Sequence, residues 1–286
     1  MGLKVGIIGG GNMANAIIGG LIQKGFNAKD LAVSEPDVSK LHQLRDKFGI
    51  NVSTDNNDLV NFKFNNSNNC AGIDIIILAV KPQIMNLVAQ GISKTSQNVK
   101  PLVISIAAGV LLKDLKLWIG KDVSIVRCMP NTPALLGEAA TVFFGDTNVS
   151  KRQKDAAELV LASVSRKVYW VEKEHLLDVV TGVSGSGPAY FFLLIECLEN
   201  AGVKLGLPNH IARGLAIQTC LGAGKMASES DVSPAELRKR VTSPNGTTEA
   251  AIKVAKNNKI ENLWFTVVKS ASDRAAELGK ELSSKL

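Results

Sequence analysis

The first 170 residues alternate short apolar runs with longer amphipathic ones. Residues 3–8 (Leu-Lys-Val-Gly-Ile-Ile) read as a short buried strand, and a glycine cluster leads from it into a helix over Asn15–Lys24 that stops at Gly25. Leu31–Val33 gives a second strand, Val38–Phe48 a second helix ending at Gly49, and Asn51–Ser53 a third short strand. Asp74–Val80, Pro101–Ile106 and Val123–Cys128 are apolar almost throughout, as strands covered on both faces must be. Thr141–Phe144 and Val168–Val171 are weaker strands. Strands alternating with helical segments predict an α/β domain with a mainly parallel sheet over residues 1–172.

From about Glu174 the strand signals stop. Pro188–Ala201, Asn209–Met226, Pro234–Val241, Thr248–Lys256 and Ile260–Leu282 carry helical patterns, with breaks at Gly202, Gly206-Leu207-Pro208 and Pro244-Asn245-Gly246. Ser233-Pro234-Ala235-Glu236 is a capping box with proline at the first helical position. Residues 173–286 are therefore predicted to form an all-α domain. Within it Ala189–Ile195 is apolar all the way round, so it must be buried on every side, either as a central core helix or between subunits. Asn51–Asn69 holds eight asparagines in nineteen positions and reads as a solvated loop or insertion.

Composition narrows the class. The 286 residues are 45% apolar and 21% charged, a globular balance that excludes a disordered or collagen-like chain. The longest uninterrupted apolar stretches, such as Ile75–Val80 and Ile106–Leu112, are too short to cross a bilayer. Met1–Val5 runs straight into a strand without a signal-peptide layout, and Gly6 stands where myristoylation wants Ser or Thr, so the expectation is cytoplasmic with no membrane partner. Thirty-three basic against 26 acidic residues leave a charge of +7, yet the densest basic run is Arg238-Lys239-Arg240, which argues against a nucleic-acid partner. Cys70, Cys128, Cys197 and Cys220 show no Cys-x-x-Cys and are expected as reduced, mostly buried thiols. His42, His175 and His210 are scattered, so no metal site is expected.

Chemistry enters with Gly9-x-Gly11-x-x-Ala14, set between the first strand and the first helix. Gly9 permits the tight turn, Gly11 lets a pyrophosphate approach the backbone, and Ala14 allows close helix–strand packing, while the helix N-terminus offers N–H donors. A glycine triplet alone is often only a turn; the flanking strand and helix make this one a dinucleotide fingerprint and the sheet Rossmann-type. Glu35 follows the second strand, where an acid binds ribose hydroxyls and repels a 2′-phosphate, a tilt toward NADH; Ser34, Lys40 and Arg45 could still serve NADPH. Ala79–Pro82, Ser105–Gly109 and Arg127–Pro133 close three strands with small or proline-rich turns, at the strand ends where open α/β sheets bind ligands. In the helical part, Thr181–Tyr190 and Thr242–Glu249 place glycines and hydroxyls at helix N-termini, suited to a carboxylate or to capping alone.

Taken together these stretches resemble the Δ1-pyrroline-5-carboxylate reductase family over essentially the whole chain. The most specific pieces are Ser184–Tyr190 and Ser243-Pro244-Asn245-Gly246-Thr247-Thr248, supported by Ala79–Pro82 and Arg127–Pro133. The resemblance implies reduction of the cyclic imine of 1-pyrroline-5-carboxylate to L-proline, with NADPH or NADH as cofactor. It implies that Ile8, Gly9, Gly10, Gly11, Asn12 and Met13 hold the pyrophosphate, and that Ser34, Glu35 and Asn56 face the adenosine end. Ala79, Val80, Lys81, Pro82, Ala107 and Ala108 would take the nicotinamide side. Ser243, Gly246, Thr247 and Thr248 would hold the substrate, with the Thr248 hydroxyl at the imine nitrogen as the catalytic contact and Glu174 nearby. Homodimers of interlocked helical domains, often gathered into decamers, are implied too.

This chain departs from the family pattern in three places. Asn245 stands where a second glycine is usual, Ala139 replaces another glycine, and Phe62–Asn69 looks like an insertion. Asparagine tolerates positive φ, so the loop at 245 is expected to survive. Two other readings stay open: a β-hydroxyacid dehydrogenase-like oxidoreductase with Lys225 or Lys253 as base, and a non-catalytic NAD(P)H-sensing module that binds a partner protein.

Overall fold

The computed structural model describes residues 2–66 and 69–284. β1 (Val5–Ile8) leads through the glycine turn into α1 (Asn12–Gln23), and β2 (Leu31–Ser34), α2 (Val38–Phe48), β3 (Asn51–Ser53) and α3 (Asn56–Val60) follow. β4 (Phe64–Asn66) and β5 (Asn69–Ala71) form a small antiparallel hairpin. Then come β6 (Ile75–Leu78), α4 (Met85–Gly91), α5 (Ser93–Val99), β7 (Leu102–Ser105), α6 (Leu112–Ile119) and β8 (Ile125–Met129). β9 (Ala139–Gly145), α7 (Lys151–Leu161) and β10 (Ser165–Trp170) complete the sheet, in the order β10-β9-β8-β7-β6-β1-β2-β3. Every neighbouring pair is parallel except β8 with β9.

Alternation along the strands builds two cores from one sheet. Val5, Ile7, Ile75 and Ile77 pack with α1 on one face, while Ile8, Ile76 and Leu78 pack with α3, α4 and α6 on the other. The chain order reverses between β1 and β6, so a crevice opens at their C-terminal ends. Gly9 sits at that point with φ +103, and a Cβ there would lie 2.7 Å from the Ala79 carbonyl oxygen. Only glycine fits.

Residues 51–66 of the asparagine-rich stretch carry β3, α3 and β4 rather than forming a solvated loop. Asp55 caps α3 by accepting from Asn57 N–H and Asp58 N–H, and Leu59, Val60 and Phe64 drop into the core. A few well-spaced apolar residues suffice to fold a segment whose composition is polar. Of the expected insertion at 62–69, residues 67 and 68 lie outside the described residues.

The helices that follow are α8 (Leu176–Val180), α9 (Gly187–Lys204), α10 (Asn209–Glu229), α11 (Pro234–Arg240), α12 (Thr247–Asn257) and α13 (Ile260–Ser284). A π-helical turn, Thr181–Gly185, joins α8 to α9. In a regular helix the Ser184 carbonyl would accept from residue 188, but Pro188 has no N–H. Asn131 Nδ2 donates to it instead at 3.0 Å, while Asn131 Oδ1 accepts from Ala140 N–H at 3.0 Å.

Compact units do not coincide with the 172/173 division expected from the patterns. One comprises residues up to Gly185 together with those from Ala271 on; the other is Ser186–Ser270, entirely helical. Contacts explain the difference: Leu177 of α8 and Ala275 and Gly279 of α13 are buried in the sheet unit. Ser233 Oγ accepts from Glu236 N–H, one half of the expected capping box, while the Glu236 carboxylate accepts from Arg240 Nε; Asn245 takes the left-handed φ of 58 expected of it.

The helical unit leaves its most apolar helix uncovered. Phe191, Phe192 and Leu193 are 57%, 67% and 59% exposed, so α9 is not a central core helix. The whole run Leu176–Lys204 is, by length and composition, apolar enough to cross a membrane, which the uninterrupted stretches do not reveal. The expectation of mostly buried cysteines is corrected likewise: Cys128 is buried, Cys197 is exposed and Cys220 is intermediate. Burial pushes the Cys128 thiol far up, and the Arg127 charge offsets this only in part.

Candidate active site

The residues expected to face a nucleotide gather at the C-terminal ends of β1, β2 and β6. Ile8, Gly9, Ser34, Glu35, Asn56 and Val80 line one cavity of about 390 Å³, together with Pro36, Asp55 and Leu87. Gly10, Gly11, Asn12 and Met13 make the turn from β1 into α1. Ala79, Lys81 and Pro82 follow β6, and Ala107 and Ala108 follow β7; these five are not in the cavity lining.

Backbone ties hold this rim in register. Gly9 N–H donates to Ser34 O at 2.8 Å, and Ala79 N–H to Ile8 O at 2.8 Å. Ser34 Oγ donates to Asn56 Oδ1 at 2.7 Å. The Glu35 carboxylate reaches back to the glycine turn, accepting from Gly10 N–H at 2.8 Å. A dinucleotide fits these residues: Gly11 is exposed, nothing lies within 4 Å of where its Cβ would be, and as the α1 N-cap it has no side chain to cap the first turn. Among the described residues no lysine or arginine lines the cavity, and Glu35 and Asp55 give it an acidic rim.

Glu174 turns its carboxylate into the sheet unit. Oε1 accepts from Leu112 N–H at 2.6 Å and pairs with Arg127 at 2.6 Å. Arg127 is 4% exposed, and its Nε has no partner among the described residues. A guanidinium so deep requires an anion, and Glu174 supplies it. Any substrate contact has to share this carboxylate. On α8, burial raises the Asp178 carboxyl above the usual range; Glu174 adds to the rise, while Arg127 and His175 oppose it. The motif reading marked Arg127–Pro133 only as a pocket turn and missed the clamps made by Arg127 and Asn131. An arginine inside the apolar run Ile125–Met129 was the available signal, since a buried cation demands a partner.

In the helical unit, Ser243, Gly246, Thr247 and Thr248 come together at the start of α12. Gly246 is the N-cap and has no side chain to fill the first turn. Gly246 N–H donates to Ser243 O at 3.0 Å, and Asn245 N–H to Glu249 Oε2 at 2.8 Å, which closes the loop upon the helix. A cavity of about 710 Å³ beside α12 is lined by Thr242, Asn245, Gly246, Glu249, Lys253 and Lys256, but by none of Ser243, Thr247 and Thr248. Lys225 lies 3.9 Å from Glu229 on an exposed helix face, the ordinary place for a lysine. Among the described residues no cluster of histidine, cysteine and acidic side chains could hold a metal ion.

Comparison with known proteins decides between the open readings. Residues 174–278 match the family model for pyrroline-5-carboxylate reductase dimerisation, and residues 4–109 match the model for coenzyme F420-dependent NADP oxidoreductases. A pyrroline-5-carboxylate reductase from Pseudomonas aeruginosa is 43% identical over 281 residues, covering 98% of each chain. The chain belongs to the pyrroline-5-carboxylate reductase family.

Solved structures of pyrroline-5-carboxylate reductases agree. One from Coxiella burnetii superposes with a TM-score of 0.90 at 38% identity, covering 96% of this chain and 98% of that one. Another, from Plasmodium falciparum with NADP bound, gives 0.81 at 28% identity over 97% and 98%. The reductase dimerisation model starts at Glu174, twelve residues before the compact helical unit, and spans the uncovered residues of α9.

Proposed function

We propose that this protein reduces 1-pyrroline-5-carboxylate to L-proline, the final step of proline biosynthesis, in the cytoplasm, with NADPH or NADH as the reductant. The observation that carries the reading is the Ser243–Thr248 loop: it folds as an uncapped helix start, with Asn245 in the left-handed conformation, in a chain of this family.

Ile8 to Met13 hold the pyrophosphate against the α1 N-terminus, and Ser34, Glu35 and Asn56 take the adenosine end. Ala79 to Pro82 with Ala107 and Ala108 take the nicotinamide side. The bound reduced nucleotide supplies a hydride. Thr247 and Thr248 N–H groups, at the positive end of α12, donate to the substrate carboxylate. The ring nitrogen of a cyclic imine is protonated readily, and the iminium takes hydride at carbon without a strong base. The chain therefore has to orient rather than to deprotonate. Thr248 Oγ1 orients the nitrogen by a hydrogen bond, and Glu174 acts beside the substrate through the Arg127 pair. The exposed faces of α9 and α10 meet a second copy in a homodimer, and dimers gather into a decamer.

Steady-state oxidation of NADH and of NADPH in the presence of pyrroline-5-carboxylate tests the reading, with 3-hydroxy acids and NAD as the control for a β-hydroxyacid dehydrogenase. Turnover of the imine with either nucleotide is expected. Binding of nucleotide with no turnover of any cyclic imine would leave only a sensing module.

A further inference from the structure

The last turns of α13 lie in the sheet unit against the turn that follows β7. Gly109 has φ +76, and a Cβ on it would lie 3.3 Å from the backbone nitrogen of Gly279 and 3.3 Å from Leu278 Cβ. Conversely, a Cβ on Gly279 would lie 2.9 Å from the Gly109 carbonyl oxygen. Two glycines thus bring helix and turn into backbone contact. Ser283 Oγ donates to the Asp114 carboxylate on α6, and Leu282 packs upon the core that contains Ala107, Val110 and Leu115. From the far end, Glu174 accepts Leu112 N–H and is itself anchored by Arg127, the register partner of Ser105 on the neighbouring strand. The segment 107–112 is therefore gripped at both ends.

We propose that residues 278–283 of α13 are a positioning element for the reducing cofactor: Gly279 and Ser283 set the height of the Ala107-Ala108-Gly109 turn on which the nicotinamide rests. The inference depends on the placing of the nicotinamide at that turn given under Proposed function. Gly279 touches neither cofactor nor substrate; it acts through Gly109. A side chain at 279 displaces the Gly109 carbonyl, a backbone atom that cannot step aside by changing rotamer. Hydride transfer is sensitive to a displacement on the order of 1 Å at the stacked ring. The adenosine end, held by Ser34, Glu35 and Asn56 across β1 from β7, is untouched by the change.

The test compares wild type with Gly279→Ala, and with Ser283→Ala and Ser283→Thr as milder variants should the first fail to fold. Affinity is measured by calorimetry for the intact reduced nucleotide and for the matching ADP-ribose fragment, which lacks the nicotinamide. Gly279→Ala is expected to weaken the intact nucleotide roughly tenfold, to leave the fragment within about twofold, and to lower kcat about tenfold with little change in KM for the imine. Ser283→Ala shifts the same quantities less, and Ser283→Thr restores them. Equal weakening of nucleotide and fragment, or unchanged affinity and kcat in a folded Gly279→Ala protein, overturns the proposal. Wild-type protein that binds nucleotide but reduces no cyclic imine overturns the parent reading instead, and the nucleotide-against-fragment comparison remains readable.

Discussion

A threonine hydroxyl is a weak acid, so at Thr248 its value lies in direction rather than in proton supply. One aligned hydrogen bond to a charged nitrogen contributes ~1.5–3 kcal/mol. Thr248→Ala should therefore cut kcat by tenfold or more at unchanged nucleotide affinity, and Thr248→Ser should recover much of it; wild-type turnover in the alanine variant removes this residue from the mechanism. Glu35 makes a second prediction at the same scale. Its carboxylate and that of Asp55 border a cavity with no lining cation among the described residues, so the extra phosphate of NADPH meets like charge there. Wild type should favour NADH, and Glu35→Ser should move the NADPH-to-NADH ratio of kcat/KM upward about tenfold, the size of a ~1.4 kcal/mol repulsion near a protein surface. A variant with an unchanged ratio would show that Glu35 merely braces Gly10. The places of both residues, at the start of α12 and at the end of β2, were legible in the sequence because short motifs fix them. The Arg127–Glu174 pair was not, since its partners are 47 positions apart and no periodicity links them.

Elements were legible where burial forces a pattern. β1, β6, β7 and β8 are covered on both faces and read as apolar runs, whereas α3 and the β4–β5 hairpin hide in asparagine because caps and a few apolar anchors build them. α8 was missed altogether: it is a five-residue helix outside the predicted segments, and it joins the sheet unit through buried Leu177 and the charged cluster around Arg127. Asp178 is the strained member of that cluster. Its folded-state carboxyl is raised, chiefly by burial, so the folded chain binds a proton there more tightly than the unfolded chain. The ionised form thus costs stability above the raised value, and the cost vanishes below the ordinary carboxylate range near pH 4. Asp178→Asn should raise Tm at pH 7, and the gain should shrink to nothing as the pH falls below about 4. A gain that persists in acid would trace to packing rather than to charge.

At the scale of the molecule, the uncovered face of α9 is the feature a lone chain cannot explain. Phe191, Phe192 and Leu193 all stand in water here, and large contiguous apolar patches mark association surfaces. Phe192→Glu should convert the assembly to monomers in sedimentation and abolish turnover, while the folded sheet unit keeps its affinity for nucleotide; a variant that stays assembled would place the interface elsewhere. The division into two units was legible as a change of pattern, but the return of α13 was not, because a helix reads alike whichever core it joins. That return has a consequence for synthesis. The sheet unit is written in two instalments separated by the 85 residues of Ser186–Ser270. A ribosome adding roughly 5–20 residues per second needs several seconds to bridge that gap. Until Gly279 and Ser283 emerge, the nascent sheet lacks its final strut, and chaperones meet it with the slot above Gly109 still open.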